Sequence, residues 1–312
     1  MYDIIIIGAG PAGVSAAIYG VSRGKSTLMI EKEKVGGLIG RVSTVTHYSA
    51  LVEPETGESF AARLKSQAER AGAKIVYETV TGVSLSGDVK TVTTDGNTYQ
   101  GKTVILANGT VSRKLGIPGE TELWGRGIGM NAARDGQKYA GKQVYVVGGA
   151  DGAIKEALYL AGLAEKVTVI HFEDQLGTIA EFKNRVEASE NIQVRLHTRL
   201  TAVSGDGQVE RLELTDAKTG KTEVVEDPGC GIFVYAGSTP ATELYGELEL
   251  KDGYIPVNER QETALPGVYA AGDICVKQVR QVATAVADGG IPAIPAAAAF
   301  SAARQNAPLC GT

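Results

Sequence analysis

Apolar residues gather in short unbroken blocks that end in glycine clusters, and the first block sets the pattern. Residues 2–7 hold four consecutive isoleucines, which suits a strand buried on both faces, and Gly8-Ala9-Gly10-Pro11-Ala12-Gly13 follows at once. A helix is predicted over residues 14–22 and a second strand over residues 26–30, closed by Glu31. The order repeats further on. Residues 143–147 read as a strand, Gly148-Gly149-Ala150-Asp151-Gly152-Ala153 as its turn, 154–163 as a helix and 167–170 as the next strand. Two strand–turn–helix–strand units predict an α/β chain of two Rossmann-like three-layer ββα domains.

Other elements fill this frame. Strands are expected around residues 74–85 and 90–99, a linker at 115–119, a hairpin of 209–214 and 222–225 around 217–220, and a return crossover at 237–240. A closing helix is expected over 296–303, with Pro292 and Pro295 interrupting or preceding it. The domain boundaries that follow are 1–113 with 241–312 for one domain and 114–240 for the other.

The first glycine cluster is a complete G-x-G-x-x-G between strand and helix. Gly8 serves the tight turn, Gly10 admits a pyrophosphate close to the backbone, and Gly13 lets the helix pack on the strand, with Pro11 and Ala12 between them. The helix start then offers free N–H groups to phosphate, and Glu31 stands where an acid bonds a ribose hydroxyl. A second motif set far along the chain favours FAD over NAD. Val268-Tyr269-Ala270-Ala271-Gly272-Asp273 is a strand ending in Gly-Asp, and Arg280-Gln281-Val282 opens a helix.

Together with Gly36-Gly37 and Ala107-Asn108-Gly109, these motifs resemble the low-molecular-weight thioredoxin reductase family over nearly the whole chain. The resemblance implies that Asp273, after Gly272, holds the ribityl chain of FAD. It also implies that Arg280, Gln281 and Val282 aim a helix start at the flavin pyrimidine, where the dipole stabilises the anionic reduced ring. Gly37, Leu38, Val80, Ala107 and Gly109 are further expected cofactor contacts. Leu38 stands where the family has glutamine, and His47-Tyr48-Ser49-Ala50 where it has an Asn-aromatic-Pro-Gly run. His47 is therefore both a candidate flavin neighbour and a candidate catalytic donor. A homodimer is expected from the resemblance alone.

The second unit departs from the family. Ala150 takes the middle glycine position, and His171-Phe172-Glu173-Asp174 supplies acids where the family grips a 2′-phosphate with cations. NADPH is not expected; NADH stays open as a weak ligand through Glu173. Upstream, Asn131-Ala132-Ala133-Arg134-Asp135-Gly136 replaces the Cys-x-x-Cys-Asp-Gly of the family, leaving no internal redox disulfide. Arg134, a fixed cation in the vacated slot, is the other catalytic candidate. The function expected on these grounds is an FAD-dependent oxidoreductase on a thioredoxin reductase-like scaffold without dithiol chemistry, supplied by ferredoxin, flavodoxin or an unidentified substrate. An NADH-dependent flavin reductase or oxidase, and a flavin-binding pseudoenzyme acting as a redox sensor or partner protein, are the alternatives.

Composition narrows the classes. With 312 residues, 43% hydrophobic content and a net charge of −5, the chain has room for two cores and no basic footprint for nucleic acid or membrane. No apolar span or signal segment is evident, so a cytoplasmic location is expected. The three cysteines, Cys230, Cys275 and Cys310, are spaced for neither a metal nor a redox pair. Cys275 is set apart by its closeness to Asp273, and Cys310 by its place near the last residue.

Overall fold

The fold is described from a computed structural model covering residues 1–49, 51–129 and 131–305, with side chains to residue 297. β1 (Tyr2–Ile7) turns at Gly8, whose φ of +99° suits glycine, into α1 (Pro11–Ser22), which carries Pro11 at its start. β2 (Thr27–Glu31) returns parallel to β1 with Ile4 opposite Thr27. α2 (Gly57–Ala71) begins under Thr56, whose hydroxyl accepts from the Ser59 N–H at 3.1 Å, and ends at Gly72. β3 (Lys74–Tyr77), β4 (Val80–Ser84), β5 (Lys90–Thr94) and β6 (Thr98–Leu106) follow.

After β7 (Thr110–Ser112) come β8 (Ile128–Gly129), α3 (Ala132–Asp135), β9 (Gln143–Val147), α4 (Asp151–Ala161), β10 (Lys166–Ile170) and α5 (Ala180–Glu187). β11 (Ile192–Arg195), β12 (Thr198–Ser204), β13 (Arg211–Asp216), β14 (Thr222–Glu226) and β15 (Gly231–Val234) complete that stretch. β16 (Ser238–Pro240), β17 (Val268–Ala270) and α6 (Val282–Gln305) close the chain.

The chain divides into two units. Unit 1 is Met1–Gly40, Val45–Val111 and Thr239–Thr312; unit 2 is Arg41–Thr44 with Ser112–Ser238. In unit 1 the strand order is β3-β2-β1-β6-β5-β4, with β17 also on β6. β6 serves two partners on one side, pairing antiparallel with β5 through Thr98–Gly101 and parallel with β17 through Val104–Leu106. Only two residues separate β3 from β4, although they end opposite sides of this order. Three peptide steps reach roughly 11 Å, while five ladder spacings amount to about 24 Å. The β4–β5–β6 meander must therefore fold back over the parallel strands, so the stretch 74–85 is two strands in two layers.

The core of unit 1 lies between those layers. Ile5, Ile7, Leu28 and Ile30 meet Leu85 and Val92 there, while Tyr245 and Leu248 seal one side. Ile4 and Ile6 point to the opposite face, against Gly20 and Gly13 of α1. A Cβ on Gly289 of α6 would fall 1.9 Å from the Ala12 carbonyl oxygen of α1, and Ser15 Oγ donates to the Val286 carbonyl at 2.7 Å. This contact explains a difference from the sequence reading. α6 is one helix of 24 residues running through Pro292 and Pro295, not a shorter helix starting after them. Each proline removes one backbone hydrogen bond. Close packing on α1, with Ala293, Ala296 and Ala297 buried, holds the helix together across the gaps.

Unit 2 repeats the plan. Its parallel sheet runs β11-β10-β9-β15-β8, and β12-β13-β14 forms an antiparallel second layer. Val147, Ile170, Ile232 and Val234 meet Leu200, Leu212 and Leu214 between the sheets. Ile154, Ala157 and Leu160 of α4 and Phe182 of α5 cover the other face. Both units are three-layer α/β structures, the class expected from the repeated motif. Among the described residues, no helix is long and apolar enough to cross a membrane.

Candidate functional site

In unit 1 the turn after β1 is held from several sides. Glu31, at the end of β2, accepts the Ala9 N–H at 2.9 Å through one carboxylate oxygen and the Glu33 N–H at 3.0 Å through the other. The Gly36 N–H donates to the Ala9 carbonyl at 2.8 Å, and a Cβ on Gly37 would lie 3.3 Å from the Gly10 Cα. Ala107 donates its N–H to the Ile7 carbonyl at 2.8 Å and stands against Gly8. Asn108 is clamped between the Ala241 carbonyl and the Tyr245 hydroxyl, each at 2.7 Å, and Gly109 turns at a φ of +64°. Gly13 is packed so tightly that a Cβ would fall 1.9 Å from the Gly8 oxygen, whereas a Cβ on Gly10 would meet nothing within 4 Å. The open space at Gly10 lies at the start of α1, where backbone N–H groups are free.

The Gly-Asp motif joins this cradle. A Cβ on Gly272 would come within 3.0 Å of the Ala12 Cβ, which brings Asp273 beside the start of α1. Asp273 Oδ1 is buried with no hydrogen-bond partner. Burial pushes its carboxyl above the usual carboxylate range, against the pull of Lys277 and Arg280. The Arg280 guanidinium reaches the Asp273 carbonyl at 3.4 Å and the Cys275 carbonyl at 3.3 Å, and it stacks 4.2 Å over the Tyr254 ring. Gln281 accepts the Ala285 N–H at 3.0 Å, with Val282 as the first residue of α6.

An acceptor buried without a donor, next to a glycine cradle at a helix start, fits a flavin dinucleotide. Gly10 and α1 would take its pyrophosphate, and Asp273 a ribityl hydroxyl.

Some of the residues that build this site escaped the sequence reading. Asp288 accepts the Gly272 N–H at 3.1 Å and pairs with Lys277, so this ion pair holds the turn that carries Asp273. A lone acid inside the apolar stretch 282–303 was the available signal. Cys275 is buried, its thiol pushed up to about 12 by burial and 3.8 Å from Gln261 Oε1, so it is neutral at physiological pH. Cys310 lies outside the described residues. The Val80 side chain packs on the core of unit 1. Leu38 lies in a 3₁₀ turn, Gly37–Arg41. His47 is exposed on the loop before α2, its Nδ1 2.9 Å from Thr46 Oγ1.

Unit 2 carries the second turn in a similar backbone conformation. Ala150 caps α4 at φ −88°, ψ 174°, close to Gly10 at φ −71°, ψ −177°, so its methyl occupies the direction that Gly10 leaves open. The His171 ring packs flat on Gly149, its Nδ1 buried without a partner and its Nε2 3.2 Å from Glu173 Oε2. Phe172 is 45% exposed, and the Arg199 guanidinium lies 4.3 Å over its ring. Arg199 comes from β12, so the segment after β10 carries on its Phe172 a cation that local sequence did not reveal.

The 131–136 turn is a single helical turn. Asn131 Oδ1 caps it by accepting the Arg134 N–H at 2.8 Å, and the Ala132 N–H donates to the Tyr235 hydroxyl at 3.1 Å. The Arg134 side chain is 73% exposed and donates to both Asp135 oxygens, at 2.7 Å from Nη2. Lys138 reaches the same carboxylate at 2.8 Å. Burial raises the Asp135 pKa, but hydrogen bonds from Arg134 and Lys138 outweigh it and hold the group below its ordinary range. Arg134 is thus engaged within its own turn.

Known proteins resemble the chain from end to end. It is 39% identical over 302 residues to a thioredoxin reductase of Peptoclostridium acidaminophilum, covering 95% of this chain and 96% of the relative. It is 39% identical to that of Treponema pallidum, covering 98% and 99%. The Lactococcus lactis thioredoxin reductase structure superposes with a TM-score of 0.91 at 32% identity, covering 95% of this chain and 98% of that one.

These relatives overturn the expected departure from thioredoxin reductase function, in which ferredoxin, flavodoxin or an unidentified substrate supplied electrons, together with its flavin oxidase and sensor alternatives. Replacing one sulfur pair removes a relay, but it does not by itself define another reaction. The model of the pyridine nucleotide-disulphide oxidoreductases matches residues 2–289, and with the flavin cradle of unit 1 and the second dinucleotide-type turn of unit 2 this places the chain in that family.

Proposed function

We propose that the chain is a flavin-dependent reductase of the thioredoxin reductase type, which draws electron pairs from a reduced nicotinamide dinucleotide and delivers them to a disulfide on a small protein substrate. The observation that carries this reading is the unpartnered Asp273 oxygen beside an intact G-x-G-x-x-G, in a chain that aligns end to end with thioredoxin reductases. Bound FAD would supply the two-electron chemistry, with NAD(P)H, a proton and one disulfide yielding NAD(P)⁺ and two thiols.

The residues divide the remaining work. Gly8, Gly10 and Gly13 with the start of α1 bind the pyrophosphate, Glu31 takes a ribose hydroxyl and Asp273 a ribityl hydroxyl. In unit 2, Glu173 accepts from a 2′-hydroxyl and Arg199 attracts a 2′-phosphate, so this opposed pair sets the balance between NADH and NADPH. Asn131 and Arg134 stand in the relay positions, so both sulfurs of the reacting disulfide come from the substrate.

The test mixes FAD-loaded protein anaerobically with NADH or NADPH, follows the oxidised flavin band, and then adds oxidised thioredoxin and titrates thiols. Bleaching followed by two thiols per flavin is expected. No bleaching by either nucleotide, or bleaching without new thiols, refutes the proposal.

A further inference from the structure

A polar cavity of about 290 Å³ lies wholly within unit 2. Its lining comes from four segments: Arg126-Gly127, Lys138-Tyr139 with Lys142, Gly207-Gln208, and Gly229-Cys230. Three of these segments lead directly into strands, Gly127 into β8, Lys142 into β9 and Cys230 into β15. The cavity therefore sits at the amino-terminal end of the parallel sheet. The Gly148–Ala150 turn leaves β9 at its other end, five residues on, or roughly 16 Å at the rise of a parallel strand. Dinucleotides bind at the carboxyl ends of such strands, so this cavity is a separate place.

Its charge is one-sided. Arg126, Lys138 and Lys142 line it, with no carboxylate among the lining residues, in a chain whose net charge is −5. Arg126 and Lys142 form no ion pair among the described residues, and Lys142 stands 5.9 Å over the Tyr139 ring. Lys138 shares Asp135 with Arg134. Asp227, on the loop before β15, accepts from the Tyr145 hydroxyl at 2.8 Å and keeps its negative charge behind the Cys230 wall, outside the lining itself. Cys230 contributes a neutral wall, since burial pushes its thiol up to about 12.

Lys138 is already balanced by Asp135, which leaves Arg126 and Lys142 as the two cations without an ion pair there, and an anion between them offsets their mutual repulsion. Glycine at 207 and 229 keeps the rim low, because a Cβ at Gly207 would meet nothing and one at Gly229 would have Lys142 Nζ as its nearest neighbour, at 3.9 Å. Arg126 supplies a planar fork suited to two oxygens of one phosphoryl group, and the lysines supply point charges. The volume is at the lower end for ligand pockets, enough for a small anion and too little for a dinucleotide.

We propose that this cavity binds a small phosphorylated anion, with Arg126 and Lys142 as its principal ligands. The test titrates inorganic pyrophosphate and, separately, orthophosphate into the FAD-loaded full chain by calorimetry, at constant ionic strength and with NAD⁺ in excess, which leaves the flavin oxidised. FAD and NAD⁺ compete for the α1 and α4 starts, so heat that persists in their presence reports this cavity. One-site binding is expected, weakened roughly tenfold in Arg126→Ala and again in Lys142→Ala, the loss of one charge-assisted contact each. Both residues are exposed, and unchanged FAD content verifies that the variants fold. Pyrophosphate binding that both variants leave unchanged, or no binding of either probe below about 10 mM, overturns the proposal.

Discussion

Replacing Gly10 with alanine should separate folding from cofactor binding. In the folded chain Gly10 lies at φ −71°, ψ −177°, an extended conformation that alanine adopts freely, and the added methyl would meet no atom within 4 Å. The apoprotein should fold as before, and lower entropy of the unfolded chain should stabilise it by about 0.4–1 kcal/mol. The methyl instead enters the space through which a pyrophosphate approaches the free N–H groups of α1. Loss of one charge-assisted hydrogen bond there costs about 1.5–3 kcal/mol, which weakens FAD roughly 10- to 150-fold. Fluorescence titration of the apoprotein with FAD measures the affinity, and thermal melting of the same apoprotein measures the fold. Unchanged affinity would refute the placement of the pyrophosphate at Gly10. A melting temperature lower by several degrees would refute the open space. Gly13→Ala is the contrast, because its methyl would strike the Gly8 oxygen at 1.9 Å and disrupt the fold itself.

Burial raises the Asp273 carboxyl in the apoprotein, so the folded state holds its proton more tightly than the unfolded state. The stability this contributes is present at low pH and is lost as pH rises from the ordinary carboxylate range through the raised value. Asp273→Asn should therefore gain stability over the wild-type apoprotein as pH rises above the ordinary carboxylate range, while binding FAD more weakly; a difference in urea midpoints that does not grow with pH contradicts this. Glu173→Ala should shift the ratio of kcat/KM toward NADPH and Arg199→Ala toward NADH, each by roughly tenfold, and steady-state kinetics with both nucleotides decide it. Tyr245→Phe removes a buried hydroxyl from Asn108 and should cost about 1–3 kcal/mol in denaturant unfolding, with a loss below a few tenths counting against the clamp on the 107–109 turn.

The parts of the flavin cradle that were legible in the sequence are those whose physics is local. Four isoleucines before a glycine turn can hardly be anything but a buried strand, and Gly8 to Gly13 with Glu31 announces its own geometry. The strand ending at Gly272-Asp273 is read in the same way. What stayed hidden depends on partners far along the chain. Arg199 meets Phe172 across 27 residues, and Asp288 reaches back to the Gly272 N–H from inside a helix. The course of α6 through two prolines depends on its packing against α1, which no window of sequence contains. The reaction was misread for a related reason: substitutions at Asn131, Arg134 and Ala150 describe three positions, whereas similarity over the whole chain reports the scaffold around them.

The insertion of unit 2 has a consequence for synthesis. Apart from residues 41–44, which emerge earlier, unit 2 is one uninterrupted stretch, Ser112–Ser238, and can close its core while the rest of the chain is still being made. Unit 1 cannot. Its strand β17 and helix α6 arrive last, so the 104–106 edge of β6 and the α1 surface at Ala12 wait unpaired through the making of more than a hundred residues. A chain stalled or cleaved near residue 240 would keep a finished unit 2 joined to a half-built sheet with an open edge. That fragment, rather than the intact protein, is the species most prone to aggregate.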